Sequence, residues 1–452
     1  MNLVEGFTRI GLGGLFTLSS PFIAEAASQN QRIVIDEQTL PSQTELVKIG
    51  DSQYRVTAES QINKTVKELN PIEIQNILAP ELPPISDELV HFAPGENPSN
   101  PLITENGIIL YSNIEFGNQY QKSTLYSVDP KDGDKPYPIA VKGLTNIAFG
   151  SVDNYNLYLH GDGFSSNEIH AQESDTRRDH LLVKGGDLDA LVQAATDGET
   201  IIYKSISNRG EEIRGYSQEK GDFLIDPDHG YWQGKFYPAI SGRIAVWQEE
   251  IQGRNGIAVR ANIRDPYDIV ERFVLPDTNL HMTEPSLSGN KLVAKVSDLK
   301  GPNSQVKILF ADVKKRTAEY IYTDPNLFIR DVKIAGDWIV WTANNRDAEH
   351  AKSYVFALNH RTGQRFKIQH DDAYQPYLLP DPKDPNSAFV AYSRGTAYFG
   401  EKRELWLAKV ELTQIINQSN QTLFVPLVEK ERNLNDQYNP LPTKNSKTPG
   451  RK

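Results

Sequence analysis

An all-β ring of four-stranded units, a β-propeller, is the fold the sequence predicts, and three observations predict it. The chain holds 20 Tyr, 17 Phe, 31 Gly and 27 Pro, which favours strands and turns over long helical faces. A short phrase, Tyr237-Pro238-Ala239-Ile240-Ser241-Gly242-Arg243-Ile244-Ala245-Val246-Trp247-Gln248, reads as strand, glycine turn and second strand, and it returns in degraded form along most of the sequence. The returns keep a period of 44 to 51 residues in two independent registers. Four strands at that period are the signature of propeller blades.

The first register follows the end of the second strand of each unit, at Tyr111, Leu159, Tyr203, Trp247, Lys295, Trp341 and Tyr392. The second follows a third strand, at Thr124–Tyr126, Ile169–His170, Ile213–Arg214, Ile257–Val259, Ile308–Phe310, Tyr354–Phe356 and Leu405–Leu407. A fourth strand is expected at Tyr137–Val141, His180–Val183, Asp222–Ile225, Arg272–Leu275, Glu319–Tyr322 and Arg365–Ile368, after turns such as Lys220-Gly221 and Thr362-Gly363. Seven units are countable, although six or eight blades fit the same stretch. The seventh unit has a long insertion, Glu411–Asn420. Its fourth strand, which closes the ring, is expected from Leu423–Val425 or from Leu46–Thr57.

A lone four-stranded sheet buries one face well and leaves two open edges. Stacking the units around an axis covers both faces of each, so the aromatic second strands lie inside. Trp247 and Trp341 are therefore expected to pack between blades and not to stack on a ligand.

Outside the repeat, Ile10–Ala24 is an apolar run preceded by Arg9 and followed by Ala24-Glu25-Ala26, the small residues a signal peptidase favours. Residues 1–26 are expected to be a signal peptide cleaved after Ala26, the rival being an uncleaved anchor or a cytoplasmic protein with an oily start, with no integral membrane segment after cleavage and a periplasmic or secreted mature chain. Residues 27–100 read as an N-terminal extension ending in a proline-rich tether. Within it, Arg32–Asp36 is a strand candidate, Leu46–Thr57 a hairpin around Gly50-Asp51, and Lys67–Leu78 a short helix. The propeller is expected over 101–432 and a disordered tail over 433–452.

A net charge of −11 shows no basic face, so nucleic acid is not an expected partner. With no cysteine, the chain has no disulfides, thiolate metal sites or cysteine nucleophiles.

The phrase resembles the repeat of TolB-like propellers. Ser241–Trp247 and Ala335–Trp341 carry the resemblance best, with Ser288–Val293 and Asp197–Tyr203 as fair matches, while Asp153–Tyr158 departs. The resemblance spans residues near 101–428. It implies a propeller fold, frequent export and protein–protein contact as the usual role. Similar propellers also front prolyl peptidases and some polysaccharide lyases, so it constrains fold more than function.

Catalytic signatures are missing. There is no G-x-S-x-G elbow, no repeated S-x-D-x-G-x-x-W turn, no phosphate-binding glycine loop and no H-E-x-x-H helix. Glu249 and Glu250 follow Trp247 as a tempting acid–base pair, but adjacent strand residues face opposite sides and cannot act together. Asp129–Asp134 and Asp381–Asn386 are oxygen-rich, yet without the spacing of a calcium loop. The one metal candidate is His160, Asp162, Glu168 and His170 across a hairpin, a donor set suited to zinc, manganese or iron. No cofactor is otherwise called for. The expected role is a non-enzymatic platform for a protein, or for a polymer such as a polysaccharide. The alternative is a carbohydrate-active lyase or hydrolase at the channel, with His160, His170, Arg177 and Arg178 as its first residues.

Overall fold

The computed structural model describes residues from Glu45 to Leu412, apart from internal stretches of which 57–65, 74–80, 92–97, 162–167, 227–233, 299–305, 346–351 and 396–403 are the longest. The chain divides into two units, Met1–Asn63 and Lys64–Lys452. Of the first, strands β1 (Glu45–Ile49) and β2 (Ser52–Val56) are described, paired antiparallel as the expected hairpin. Arg32–Asp36, the signal segment, Leu423–Val425 and the tail lie outside the described residues.

The second unit is a β-propeller of seven four-stranded blades. Four short strands come first: β3 (Val66–Glu68), β4 (Ile72–Glu73), β5 (Glu81–Leu82) and β6 (Ser86–His91). Blade 1 then has β7 (Pro98–Ile103), β8 (Ile109–Phe116), β9 (Gln121–Val128) and β10 (Tyr137–Ala140). Blade 2 has β11 (Thr145–Val152), β12 (Tyr155–Gly161), β13 (Glu168–Glu173) and β14 (Asp179–Lys184). Blade 3 has β15 (Ala190–Thr196), β16 (Ile201–Ser207), β17 (Gly210–Ser217) and β18 (Gly221–Leu224). Blade 4 has β19 (Phe236–Ser241), β20 (Ile244–Ile251), β21 (Arg254–Arg260) and β22 (Val270–Val274). Blade 5 has β23 (Leu280–Ser288), β24 (Lys291–Asp298), β25 (Val306–Asp312) and β26 (Thr317–Asp324). Blade 6 has β27 (Leu327–Ala335), β28 (Trp338–Asn345), β29 (Ser353–Asn359) and β30 (Arg365–Lys367). Blade 7 has β31 (Ala373–Pro380), β32 (Ser387–Arg394) and β33 (Glu404–Glu411), with β6 as its fourth strand.

The first strands β7, β11, β15, β19, β23, β27 and β31 touch one another in that order and close back on β7, so they form the inner wall of the ring. Seven buried clusters sit at the seven joints, each drawn from two neighbouring blades. Trp247 belongs to the joint of blades 3 and 4, and Trp341 to that of blades 5 and 6. Both are fully buried, as packing between blades requires. The first turn of blades 4, 5 and 6 puts Gly242, Gly289 and Gly336 at φ 60°, 60° and 59°, a left-handed conformation that glycine adopts without steric cost. Blade 2, where the phrase departs, uses Asp153 at φ 49° instead.

Two expectations are corrected. Ring closure uses neither Leu46–Thr57 nor any described strand after Leu412, but β6, antiparallel to β33. Tyr392 Oη donates to Asp87 Oδ1 at 2.6 Å, as Tyr203 Oη does to Asp222 Oδ1 at 2.6 Å in blade 3, so Asp87 occupies a fourth-strand place. The helix expected in Lys67–Leu78 is not formed by the described part of that stretch: residues 67–68 are in β3 and 72–73 in β4, with Pro71 between them. β3, β4 and β5 add parallel fifth strands to blades 4, 5 and 6. The segment from Val66 to His91 is thus a strap crossing four consecutive blades. Among the described residues no helix is long and apolar enough to cross a membrane.

Candidate functional site: the inner wall and channel mouth

Each of the seven inner strands breaks register once. At six of the breaks a non-glycine residue adopts positive φ: Asn100, Gln193, Tyr237, Glu284, Asp331 and Gln375, between 51° and 57°. Such a residue costs about 1 kcal/mol or more and persists only when its surroundings hold it. Four of the six precede a proline, which has no N–H to lose from the ladder at a bulge.

The holding contacts run between blades, from each to the next. Gln193 Oε1 accepts the Tyr237 N–H at 2.8 Å, Glu284 Oε2 accepts the Asp331 N–H at 3.1 Å, and Gln375 Oε1 accepts the Asn100 N–H at 3.0 Å. In the joint of blades 4 and 5, Gln248 Oε1 accepts the Glu284 N–H at a long 3.4 Å. The other end of the wall is stitched through the repeated phrase itself. Ser241 Oγ accepts the Gly289 N–H at 2.8 Å, and Ser288 Oγ accepts the Gly336 N–H at 2.9 Å. The Ser-Gly pair of the repeat is therefore a lateral cap, serine of one blade on glycine of the next.

On blades 4 to 6 the wall is charged and aromatic. Glu284 is paired with Lys295, whose Nζ also lies 5.7 Å from the Phe328 ring centroid. Asp331 accepts from Thr342 Oγ1 at 3.1 Å; burial pushes its carboxyl above the usual range, and Glu284 adds to the rise while Arg330 opposes it. Desolvation raises the Tyr237 phenol, helped by the negative charge of Glu284 and Asp331. Phe236, Tyr237 and Phe328 nonetheless keep 37 %, 40 % and 42 % of their surface open. All three lie near the start of an inner strand, the end reached by the loops that enter each blade from the one before. They form an aromatic rim at that mouth of the channel.

Beneath the rim, blades 3 and 4 share a buried ionic network of three carboxylates and three cations. Lys204 Nζ meets Glu211 Oε1 at 2.8 Å, Lys235 Nζ meets Asp226 Oδ2 at 2.6 Å, and Arg272 Nε meets Glu249 Oε1 at 2.9 Å. Glu249 also accepts the Trp247 indole N–H at 3.2 Å, and burial raises its carboxyl. Glu250 is exposed, so the two adjacent glutamates do face opposite sides. Such a network adds little net stability, because desolvating six charges is costly, but removing any one member strands its partner.

Of the metal candidates, Asp162 lies outside the described residues. The structure brings the other three together on blade 2. The His160 and His170 rings are 5.1 Å apart, and Glu168 Oε2 is 3.0 Å from His170 Nε2. It also adds groups that the sequence did not suggest: Asp179 Oδ2 is 2.8 Å from His170 Nδ1, and Asn146 Oδ1 is 2.8 Å from His160 Nδ1. Both nitrogens of His170 thus face carboxylates, and the His170 hydrogen bond, with Lys184 assisting, lowers the Glu168 carboxyl despite partial burial. Among the described residues no three histidine or carboxylate side chains are arranged to hold a metal. Arg177 and Arg178 lie in the turn between β13 and β14, at the far end of β13 from the His160 hairpin, with Arg177 over Tyr137 at 4.6 Å. The four residues proposed for carbohydrate chemistry therefore do not converge. Asp381 and Asp384 hold their own turn, accepting the N–H groups of Lys383 at 2.9 Å and Asn386 at 3.0 Å.

No protein-family model matches this chain, and no curated protein matches it. Solved structures do. An oligogalacturonate lyase in complex with manganese is 12 % identical over 68 % of this chain and 88 % of its own, with a TM-score of 0.51. An oligogalacturonate lyase from Vibrio parahaemolyticus is 9 % identical over 72 % of this chain and 96 % of its own, also at 0.51. A TolB candidate from Agrobacterium tumefaciens is 16 % identical over 50 % of this chain and 81 % of its own, at 0.39. At these identities the likeness is one of fold.

Proposed function

We propose that this chain is an exported, non-enzymatic propeller that binds a protein or polymer segment at the mouth of its channel. The observation that carries this reading is the aromatic rim. Phe236, Tyr237 and Phe328 stay open on inner strands whose other large apolar side chains are buried or half-buried. Exposed aromatics in a concave setting are the usual anchors of a binding surface. The polar groups nearest to them are engaged in holding blades together, which favours a rigid platform over a set of reacting groups. Export rests on the apolar run Ile10–Ala24 and the small residues around Ala26.

Affinity capture from the envelope and secreted fractions, with the full chain and its Phe236→Ser/Phe328→Ser double variant, tests the binding. A partner retained by the native chain and reduced at least tenfold by the variant supports the proposal, since each hot-spot aromatic is worth about 1–2 kcal/mol and about 1.4 kcal/mol is a factor of ten. Equal retention by both forms, or turnover of a glycan by the native chain, overturns it.

A further inference from the structure

We propose that the ring is built as two arcs of unequal stability: blades 4 to 7, clasped by the strap, form a rigid frame, and blades 1 to 3 form a softer arc that opens first. Two observations carry this. The first is the course of the strap. β3, β4 and β5 pair in turn with β22, β26 and β30 before β6 completes blade 7. One segment therefore bridges the joints of blades 4 and 5, 5 and 6, and 6 and 7. It also helps fill them. Leu69, 6 % exposed, belongs to the buried cluster between blades 4 and 5, and Leu82 packs against the one between blades 6 and 7. Ion pairs hold both ends of this run. Lys67 meets Glu271 of blade 4, a carboxylate shared with Arg316 of blade 5 at 2.7 Å, and Glu81 meets Arg365 of blade 6 at 2.9 Å.

The second observation is the size of the joints. Among the described residues, the cluster between blades 4 and 5 has 16 buried members, that between 6 and 7 has 13, and that between 5 and 6 has 12. Without Leu69 the first would still be the largest. The other four follow one another round the ring, with 7 members between blades 7 and 1, 5 between 1 and 2, 8 between 2 and 3, and 8 between 3 and 4. Removing apolar surface from water is the main stabilising effect in such a joint, so the three joints that the strap crosses are also the three strongest. Polar groups take a larger share of the weaker ones. Between blades 1 and 2 the buried Asn146 carbonyl accepts from Ser112 Oγ at 2.9 Å and Ser123 Oγ at 2.8 Å, and its side-chain amide donates to the Ser123 carbonyl at 2.7 Å. Between blades 3 and 4 lies the network of six buried charges. Such groups give a joint geometry more than net stability. Phe236, Tyr237 and Phe328 all stand on the frame, so the softer arc can open while the rim keeps its shape.

Native-state hydrogen exchange of the full chain, read by mass spectrometry on the second strands, tests this. β8, β12, β16, β20, β24, β28 and β32 are each paired on both sides, so their amides exchange only when a blade opens. The proposal expects β8, β12 and β16 to exchange about tenfold or more faster than the four second strands of the frame. A smaller difference, or the reverse order, overturns it. Leu69→Ala should speed exchange in β20 and β24 by about tenfold or more and leave β8 and β12 within about twofold of the native rate. Glu271→Gln loosens the same corner more mildly, by about threefold with the same pattern, and serves if Leu69→Ala does not fold. A variant that speeds all seven second strands alike would reveal one cooperative ring and overturn the proposal. The outcome does not depend on whether the rim binds a partner.

Discussion

Gln193, Glu284 and Gln375 are side chains that would pass for channel chemistry, yet each holds the backbone N–H of the next blade's bulge. Replacing Gln375 with Leu leaves the half-buried Asn100 N–H without its acceptor and should lower stability by about 1–2 kcal/mol, read as a shift in urea midpoint at unchanged slope. His360 makes a second residue-scale prediction. Its Nε2 accepts from Lys291 Nζ at 3.2 Å, and burial together with that cation holds the imidazole down to about 4, from an ordinary 6.5. The folded state therefore keeps His360 neutral where the unfolded chain protonates it. Stability should fall as pH drops from about 6.5 toward 4, by up to about 3 kcal/mol, and level off below. Asp337, lowered by the same lysine despite partial burial, loses its contribution in the same direction. A pH titration of unfolding free energy checks this: His360→Gln should flatten the profile in that window. The bulge residues were legible only in part. Asn100, Tyr237, Glu284 and Gln375 each precede a proline a few residues before a turn, a signal present in the repeated phrase. Gln193 and Asp331 lack the proline, and their conformation is set by the neighbouring blade, which no local pattern encodes.

At the scale of elements, the repeat fixed the second and third strands of all seven blades and the fourth strands of six, because hairpins are local and their periodicity shows in the sequence. Closure was misplaced for the opposite reason. Ser86-Asp87-Glu88-Leu89-Val90-His91 has neither the phrase nor a clean alternation, and its partner β33 lies more than three hundred residues away in the chain. In the described part of Lys67–Leu78 the expected helix gives way to β3 and β4, because Pro71 interrupts it and the blade edges offer the strap hydrogen bonds that an isolated turn cannot match. The closing strand makes its own prediction. Asp87→Ala leaves the Tyr392 hydroxyl buried without its acceptor and should cost about 1–3 kcal/mol. Tyr392→Phe with Asp87→Ala should cost less than the two singles summed, which a double-mutant cycle measures.

For the whole molecule, the sequence carried the architecture and little of the site. The metal candidates were legible as a cluster of donors, and three of them do meet, but Asp179 and Asn146 occupy His170 and His160 from strands that no motif links to them. The aromatic rim was not legible at all, since Phe236 and Tyr237 on blade 4 and Phe328 on blade 6 reach the same mouth only when the blades take their places round the axis. Export is tested by N-terminal sequencing of the mature chain from the native host: a start at Ala27 supports it, and an intact Met1 contradicts it. In the proposed function, the channel carboxylates hold blades while the rim binds. Partner capture by Glu284→Gln tests this most directly, because glutamine keeps an oxygen for the Asp331 N–H and removes only the charge. We predict capture within about twofold of the native chain and a stability loss of about 1 kcal/mol from the Lys295 pair. A folded variant of native stability that has lost capture by tenfold or more would contradict the account.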